Sequence, residues 1–266
     1  MFTYYLGDDD EWYVEQGGNY YVKITAKPYE DTYTYSDGNP VEKSKEVYFK
    51  VEPIVWRVLT ENYKDADGND TGNALLLAEK ILTGGIKWAD SENDYMESNI
   101  RKWLNGNSGT GENSDYNGTP GFLQTAFTAN AQSLIAATTV DNSEGSTFGT
   151  GQPAQSNPYA YGKTTDKVFL LSVLEATTLN SGFAAYNEND STRIRVTTDY
   201  AKATGAEQSS TLGYGGWWWL RSPNYDGVDG ARVIQINGNA VNYFYVYRTY
   251  GGVVPALCIP AKQLVP

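Results

Sequence analysis

Tyr243, Tyr245 and Tyr247 alternate with Phe244 and Val246 near the C-terminal end of the chain. A β-strand sends successive side chains to opposite faces. A strand over 241–248 therefore puts three phenols on one face and two apolar side chains on the other. One face can be core; the other must meet loops, a partner or water. An exposed tyrosine row offers large contact area at low entropy cost, with hydroxyls that adapt to a ligand. Tyr225, Asp226, Asp229, Arg248 and Tyr250 can extend the row. The candidate ligand-binding patch is thus Tyr225, Asp226, Asp229, Tyr243, Tyr245, Tyr247, Arg248 and Tyr250. Periodicity alone leaves open a second arrangement, in which loops cover the phenols and both faces are buried.

Catalytic chemistry has little to stand on. The chain has no histidine and a single cysteine, Cys258. That removes Ser-His-Asp and Cys-His catalysis, most zinc sites and iron–sulfur ligation. Cys258 lies in the apolar run Val253-Val254-Pro255-Ala256-Leu257-Cys258-Ile259, the setting of a core residue rather than a nucleophile. Asp65-Ala66-Asp67-Gly68-Asn69-Asp70 opens like a calcium loop. It places Asp70 where the EF-hand pattern wants glycine and Leu76 where it wants glutamate, so a turn is expected. Dinucleotide and P-loop glycine motifs are missing, and no local motif singles out a catalytic pair of carboxylates. The expectation is a non-enzymatic protein with no catalytic residues, no metal and no cofactor.

The charge balance narrows the partners. There are 32 acidic against 20 basic side chains, a net charge of −12. A net anion without a Lys/Arg cluster lacks the basic footprint that nucleic acid or anionic lipid requires. No run approaches the ~18 apolar residues of a membrane-spanning helix, and the first ten residues lack the charged and apolar regions of a signal peptide. Neither nucleic-acid binding nor membrane insertion is expected.

The elements that must position the patch are mostly strands. Runs at 20–25, 47–51, 54–59, 75–78, 167–171, 217–222, 231–236, 241–248 and 253–259 read as β. The turn Asn237-Gly238-Asn239 joins two of them as a hairpin. Trp217-Trp218-Trp219 must place rings on both faces of its strand and reads as scaffold, and Arg221 reads as a buried, paired structural residue. Helical spacing occurs at 94–105 through Met96, Ile100, Trp103 and Leu104. Ser172 and Glu175 form a capping-box pattern for a helix at 172–178. Shorter helices are expected at 122–127 and from Thr197 or Thr198 to Ala203, and polar loops over 106–120 and 141–163. No internal repeat or linker cuts the chain, so one domain over 1–266 is expected, with the ligand-binding stretch at 224–250.

Six ordered motifs carry a resemblance. They are Ile54-Val55-Trp56-Arg57-Val58-Leu59, Ala74-Leu75-Leu76-Leu77-Ala78-Glu79, Ser98-Asn99-Ile100-Arg101-Lys102-Trp103-Leu104-Asn105, Asp166-Lys167-Val168-Phe169-Leu170-Leu171-Ser172, Trp218-Trp219-Leu220-Arg221-Ser222-Pro223 and Gly252-Val253-Val254-Pro255-Ala256-Leu257. Together, from about Tyr20 onward, they resemble a bacterial and phage family of formally unknown function whose members end in a WWLRSP…GVRPAL region. Val254 stands where that family has arginine. Members of the family occur as variable proteins of diversity-generating retroelements. The resemblance implies an α+β, C-type-lectin-like fold of the formylglycine-generating-enzyme type. It also implies recognition of a protein or glycan on a cell surface, display on a phage virion or bacterial cell surface, and a possible homo-oligomer. A calcium-dependent sugar site is not implied, because the Glu-Pro-Asn and Gln-Pro-Asp triplets are missing.

Retroelement diversification rewrites adenines, so asparagine codons scatter into Tyr, Asp, Gly, Ser, Val, Ile, Phe, Arg, Thr and others, but never into Lys, Glu, Gln, Met or Trp. Between Asn224 and Tyr250, Gln235 is the single residue outside the reachable set. Two rivals stay open. One is a fixed carbohydrate-binding or adhesion module of the same fold. The other is an enzyme related to the sulfatase-modifying proteins, which would have to act through Cys258.

Overall fold

The computed structural model describes residues 3–6, 12–106, 120–153, 155–209 and 215–264. Residues 107–119 of the loop expected at 106–120 lie outside the described residues. At the centre is a four-stranded antiparallel sheet in the order Val168–Phe169, Ala256–Pro260, Asn73–Ala78, Trp56–Thr60. The unbroken apolar run from Ala74 to Ala78 explains its central strand. With both faces covered, a strand needs no polar alternation. Leu75 and Leu77 pack on one side with Trp218, Leu220, Ala256 and Cys258. Ala74 and Leu76 pack on the other with Trp88, Trp219, Val233 and Leu257. Each fully buried leucine contributes about 1.5–3 kcal/mol, so the two cores are anchored on one backbone.

A second sheet, also antiparallel, joins Trp218–Pro223, Gly230–Ile234 and Tyr243–Tyr245. The tryptophans divide between the two cores, Trp218 on one side and Trp217 and Trp219 on the other. The scaffold reading of these rings therefore holds. Arg221 is buried beneath them, donating to the Glu175 carboxylate, to Leu170 O at 2.7 Å and to Asn142 Oδ1 at 3.0 Å. An N-terminal sheet orders Thr3–Leu6, Trp12–Gln16, Asn19–Thr25 and Glu46–Lys50. Ala26, Tyr33 and Val41, from the connection between its last two strands, pack with Ala203. Ser36 N–H donates to Asp199 at 2.9 Å, and Lys202 donates to Thr34 O at 3.0 Å.

The structure overturns the α+β, C-type-lectin-like expectation. The protein is built from small sheets of two to four strands, nearly all antiparallel, and its longest described helix has seven residues. No helix of that length can form the layer that an α+β fold lays against a sheet. The helix expected at 94–105 is confined to Asn99–Asn105, capped by Ser98. Its first turn is lost because Met96 points to solvent, with its N–H taken by Asp94 Oδ1 at 2.8 Å. At 172–178 the reciprocal cap does form, Glu175 accepting from Ser172 N–H and Ser172 Oγ from Glu175 N–H. Only a 3-10 turn, Glu175–Thr177, follows, because Thr178 is extended. The short helices Phe122–Ala126 and Asp199–Thr204 form as expected, the second capped by Thr198.

Three tight turns share one pattern, a repetition that inspection of the sequence missed. They are Tyr35-Ser36-Asp37-Gly38-Asn39, Asp65-Ala66-Asp67-Gly68-Asn69 and Gln235-Ile236-Asn237-Gly238-Asn239. In each, the first N–H donates to the fifth carbonyl, at 2.8, 3.0 and 2.8 Å, and the glycine N–H returns to the first carbonyl. The glycines have φ of 87°, 79° and 77°, which only glycine adopts without cost. In the middle copy one Asp65 carboxylate oxygen accepts from Asp67 and Asn69 N–H at 2.9 Å each, so that carboxylate serves the turn. Among the described residues no three His, Cys, Asp or Glu side chains gather as a metal site.

Candidate recognition surface

The strand Tyr243–Tyr245 is an edge strand, paired on one side only, with Gly230 opposite Tyr245, Ala231 opposite Phe244 and Arg232 opposite Tyr243. Alternation sets its two faces. Phe244 turns inward, its ring 4.4 Å from that of Trp217. Tyr243 and Tyr245 turn outward and are 37% and 41% exposed. Gly230 is required here, because a Cβ on it would stand 2.7 Å from Cδ2 of Tyr243.

The strand stops sooner than the expected 241–248. After Tyr245 the chain turns, with Arg248 N–H donating to Tyr245 O at 3.0 Å. Val246 plugs into the core, its N–H held by Asp229 O and its carbonyl by Ala89 N–H. The turn nevertheless keeps Tyr247 beside Tyr245, the rings stacked at 5.4 Å and 7°. Arg248 Cζ lies 5.9 Å from the Tyr245 centroid, 5.8 Å from Tyr247 and 5.4 Å from Tyr250. The guanidinium is thus nearly equidistant from the stacked pair. Cation–π attraction of this kind is worth about 0.5–2 kcal/mol per contact, more where water is excluded.

Tyr250 is half-buried, edge-on to Trp217 at 5.5 Å and stacked at 4.4 Å on Tyr29. Tyr29 comes from the N-terminal segment, 221 residues away, and no periodicity or spacing could have brought it into the patch. Burial, with the neighbouring Glu207 carboxylate, pushes the Tyr29 phenol up. Burial likewise raises Glu207, although its carboxylate accepts from Trp217 Nε1 at 2.8 Å.

The structure therefore gathers Tyr243, Tyr245, Tyr247, Arg248 and Tyr250. Tyr225, Asp226 and Asp229 lie on the adjoining turn. Tyr225 packs on Phe148 at 6.1 Å, with Arg232 Cζ 5.9 Å from its ring. Asp226 is exposed, whereas Asp229 is half-buried and contributes its backbone carbonyl to the turn. Arg232 is buried, donating to the Tyr186 hydroxyl at 2.5 Å and to Ala240 O at 3.1 Å. Neither Arg232 nor Tyr186 was in the expected patch.

Elsewhere a cleft of 1030 Å³ is lined in part by Phe49, Ile54, Leu82, Trp103, Phe122 and Tyr200, and by none of the expected patch residues. Cys258 is buried, and burial pushes its thiol up to about 12. It has the environment of an inert core thiol.

No curated protein and no solved structure matches the chain at a significant level. A family model described as a domain of unknown function (DUF6273) matches residues 71–261. That stretch takes in three of the four strands of the central sheet and the tryptophan and tyrosine strands, and leaves Trp56–Thr60, Tyr29 and the N-terminal sheet outside. With most of its length under the match, the chain belongs to the DUF6273 family.

Proposed function

We propose that the 225–250 surface is a non-enzymatic recognition surface for a macromolecule on a cell surface. On this reading the chain is a retroelement-diversified variable protein displayed on a phage virion or a bacterial surface. One observation carries it. The seven exposed positions between Asn224 and Tyr250 are Asp226, Val228, Val241, Tyr243, Tyr245, Tyr247 and Thr249. Every one is a residue that an asparagine codon reaches by adenine mutation, and Gln235, the exception in the segment, is not among them. The residues open to a ligand are also those such a mechanism would rewrite. The buried strand Trp218–Pro223 next to them would hold the frame.

Sequencing the coding DNA for 217–260 across a population of the source tests this. Substitutions concentrated at the exposed codons of 225–250, with 217–223 and 253–259 constant, are expected. Uniform codons throughout would discard diversification and leave a fixed binding module. The cleft lined by Phe49, Trp103, Phe122 and Tyr200 favours that second reading, because aromatic rings around a concave space suit a single dedicated ligand. Loss of ligand on Tyr200→Ala, with the tyrosine row intact, would point to it.

A further inference from the structure

Arg248 differs from the arginines that lie partly exposed elsewhere. Arg57 pairs with Glu79, and Arg101 pairs with Asp166. Among the described residues no carboxylate forms an ion pair with Arg248, and its Nε is buried without a hydrogen-bond partner. Three tyrosine rings fix the position of the guanidinium, yet a ring face satisfies none of its N–H donors in the plane. Below the same sheet Arg232 is 2% exposed, again without a carboxylate among the described residues, and its Nε also lacks a partner. Two such cations, one in the sheet and one on the turn after its edge strand, stand out in a chain of net charge −12.

We propose that Arg248 is the anchor for a single carboxylate side chain of a protein partner, seated among Tyr245, Tyr247 and Tyr250. The assignment rests on the recognition function proposed above. A guanidinium held in place presents parallel N–H donors that match the two oxygens of a carboxylate. The arrangement of the rings favours a protein over a glycan. Tyr245 and Tyr247 spend one face on each other, as do Tyr250 and Tyr29. Arg248 lies against three of the same rings, so little free face is left, whereas a pyranose stacks on a free face. The rim sets the charge of the rest of the epitope. Asp226 and Asp229 on the adjoining turn and Glu30 next to Tyr29 repel a densely acidic partner. The complementary surface has one Asp or Glu at its centre and neutral or basic residues around it.

A peptide array tests this, each Asp- or Glu-containing peptide printed beside its Asn or Gln twin, with uronic-acid and sialylated glycans on the same slide. The wild-type chain is expected to hold its acidic peptides about tenfold more tightly than their amide twins. Arg248→Gln should bring that ratio near one while the chain still melts cooperatively, with Tm lowered only by the loss of the ring contacts. Arg248→Lys should restore part of it, because an ammonium supplies charge without the fork. Equal binding of the twins by the wild type, binding to acidic glycans alone, or no binding to any printed member overturns the assignment. The variant carrying Tyr243→Ser, Tyr245→Ser and Tyr247→Ser separates the two levels. If it abolishes binding while the twins are held equally, recognition by this surface survives and the role of Arg248 falls. If it binds as the wild type does, both fall.

Discussion

The strands Trp218–Pro223 and Tyr243–Tyr245 flank the same middle strand, Gly230–Ile234, and both are rich in aromatics, yet they do opposite work. The tryptophan strand is buried along its whole length, its rings shared between two cores and its one charge, Arg221, enclosed with Glu175. The tyrosine strand is buried on one face only, and its outward rings meet one another and Arg248. Both are outer strands of the sheet, so what separates them is how many of their faces the rest of the chain covers rather than aromatic content. A strand covered on both faces becomes frame, and one covered on a single face becomes surface.

The sharpest way to break that comparison is to disturb the frame. Arg221→Ala leaves the Glu175 carboxylate enclosed without its cation and should cost about 3–5 kcal/mol in urea unfolding. A loss below about 1 kcal/mol would mean that the pair is not part of the frame. The same pair sets an acid limb. Burial pushes the Glu175 carboxyl up, but Arg221 and the hydrogen bonds around it outweigh this and hold it below the usual carboxylate range. A carboxylate depressed on folding contributes stability that is complete above its unfolded pKa, about 4.3. The contribution is lost as pH falls through the lower folded value. Glu175→Gln should therefore flatten the fall of Tm below about pH 4, and an unaltered profile would assign the acid limb to other carboxylates.

The junction of the two strands comes next. Gly230→Ala drives a methyl group against the Tyr243 ring and should cost about 1–3 kcal/mol while disordering the tyrosine row. Its counterpart, Gly145→Ala, has open space for the methyl group and should be far milder in the same melt. The smallest effect on stability belongs to the surface itself. Each Tyr→Ser change at Tyr243, Tyr245 and Tyr247 should cost about 0.5 kcal/mol or less, as surface substitutions do, while ligand capture is lost. A drop in Tm comparable with that of Arg221→Ala would show the rings to be core and erase the contrast.

Much of the contrast was legible in the residues. Period-two alternation placed Tyr243 and Tyr245 opposite Phe244, and Asn237-Gly238-Asn239 marked the turn between the paired strands. Three adjacent tryptophans could not all share one face, and burial of Arg221 followed from its place among them. Other features failed for identifiable reasons. The helical spacing of Met96, Ile100, Trp103 and Leu104 overreached, because an Asp94–Met96 turn competes locally for the backbone and leaves Met96 exposed. The capping box at Ser172 formed but did not make a helix, since Glu175 is also drawn to Arg221 and Tyr63. The two-layer fold inferred from resemblance was replaced by small sheets whose helices are too short to form a layer.

The sequence by itself determined which positions alternate, where glycine turns reverse the chain, and that catalysis through histidine has no residue to run on. These are local matters, decided by side-chain period, backbone freedom and composition. Only the tertiary structure decided that the tyrosine strand is an edge, that Tyr247 stays beside Tyr245 after the strand ends, and that Tyr29 lies against Tyr250. It alone left Arg248 with rings instead of a carboxylate. Exposure and charge pairing depend on which distant segments come to cover a strand, and local periodicity does not encode that choice.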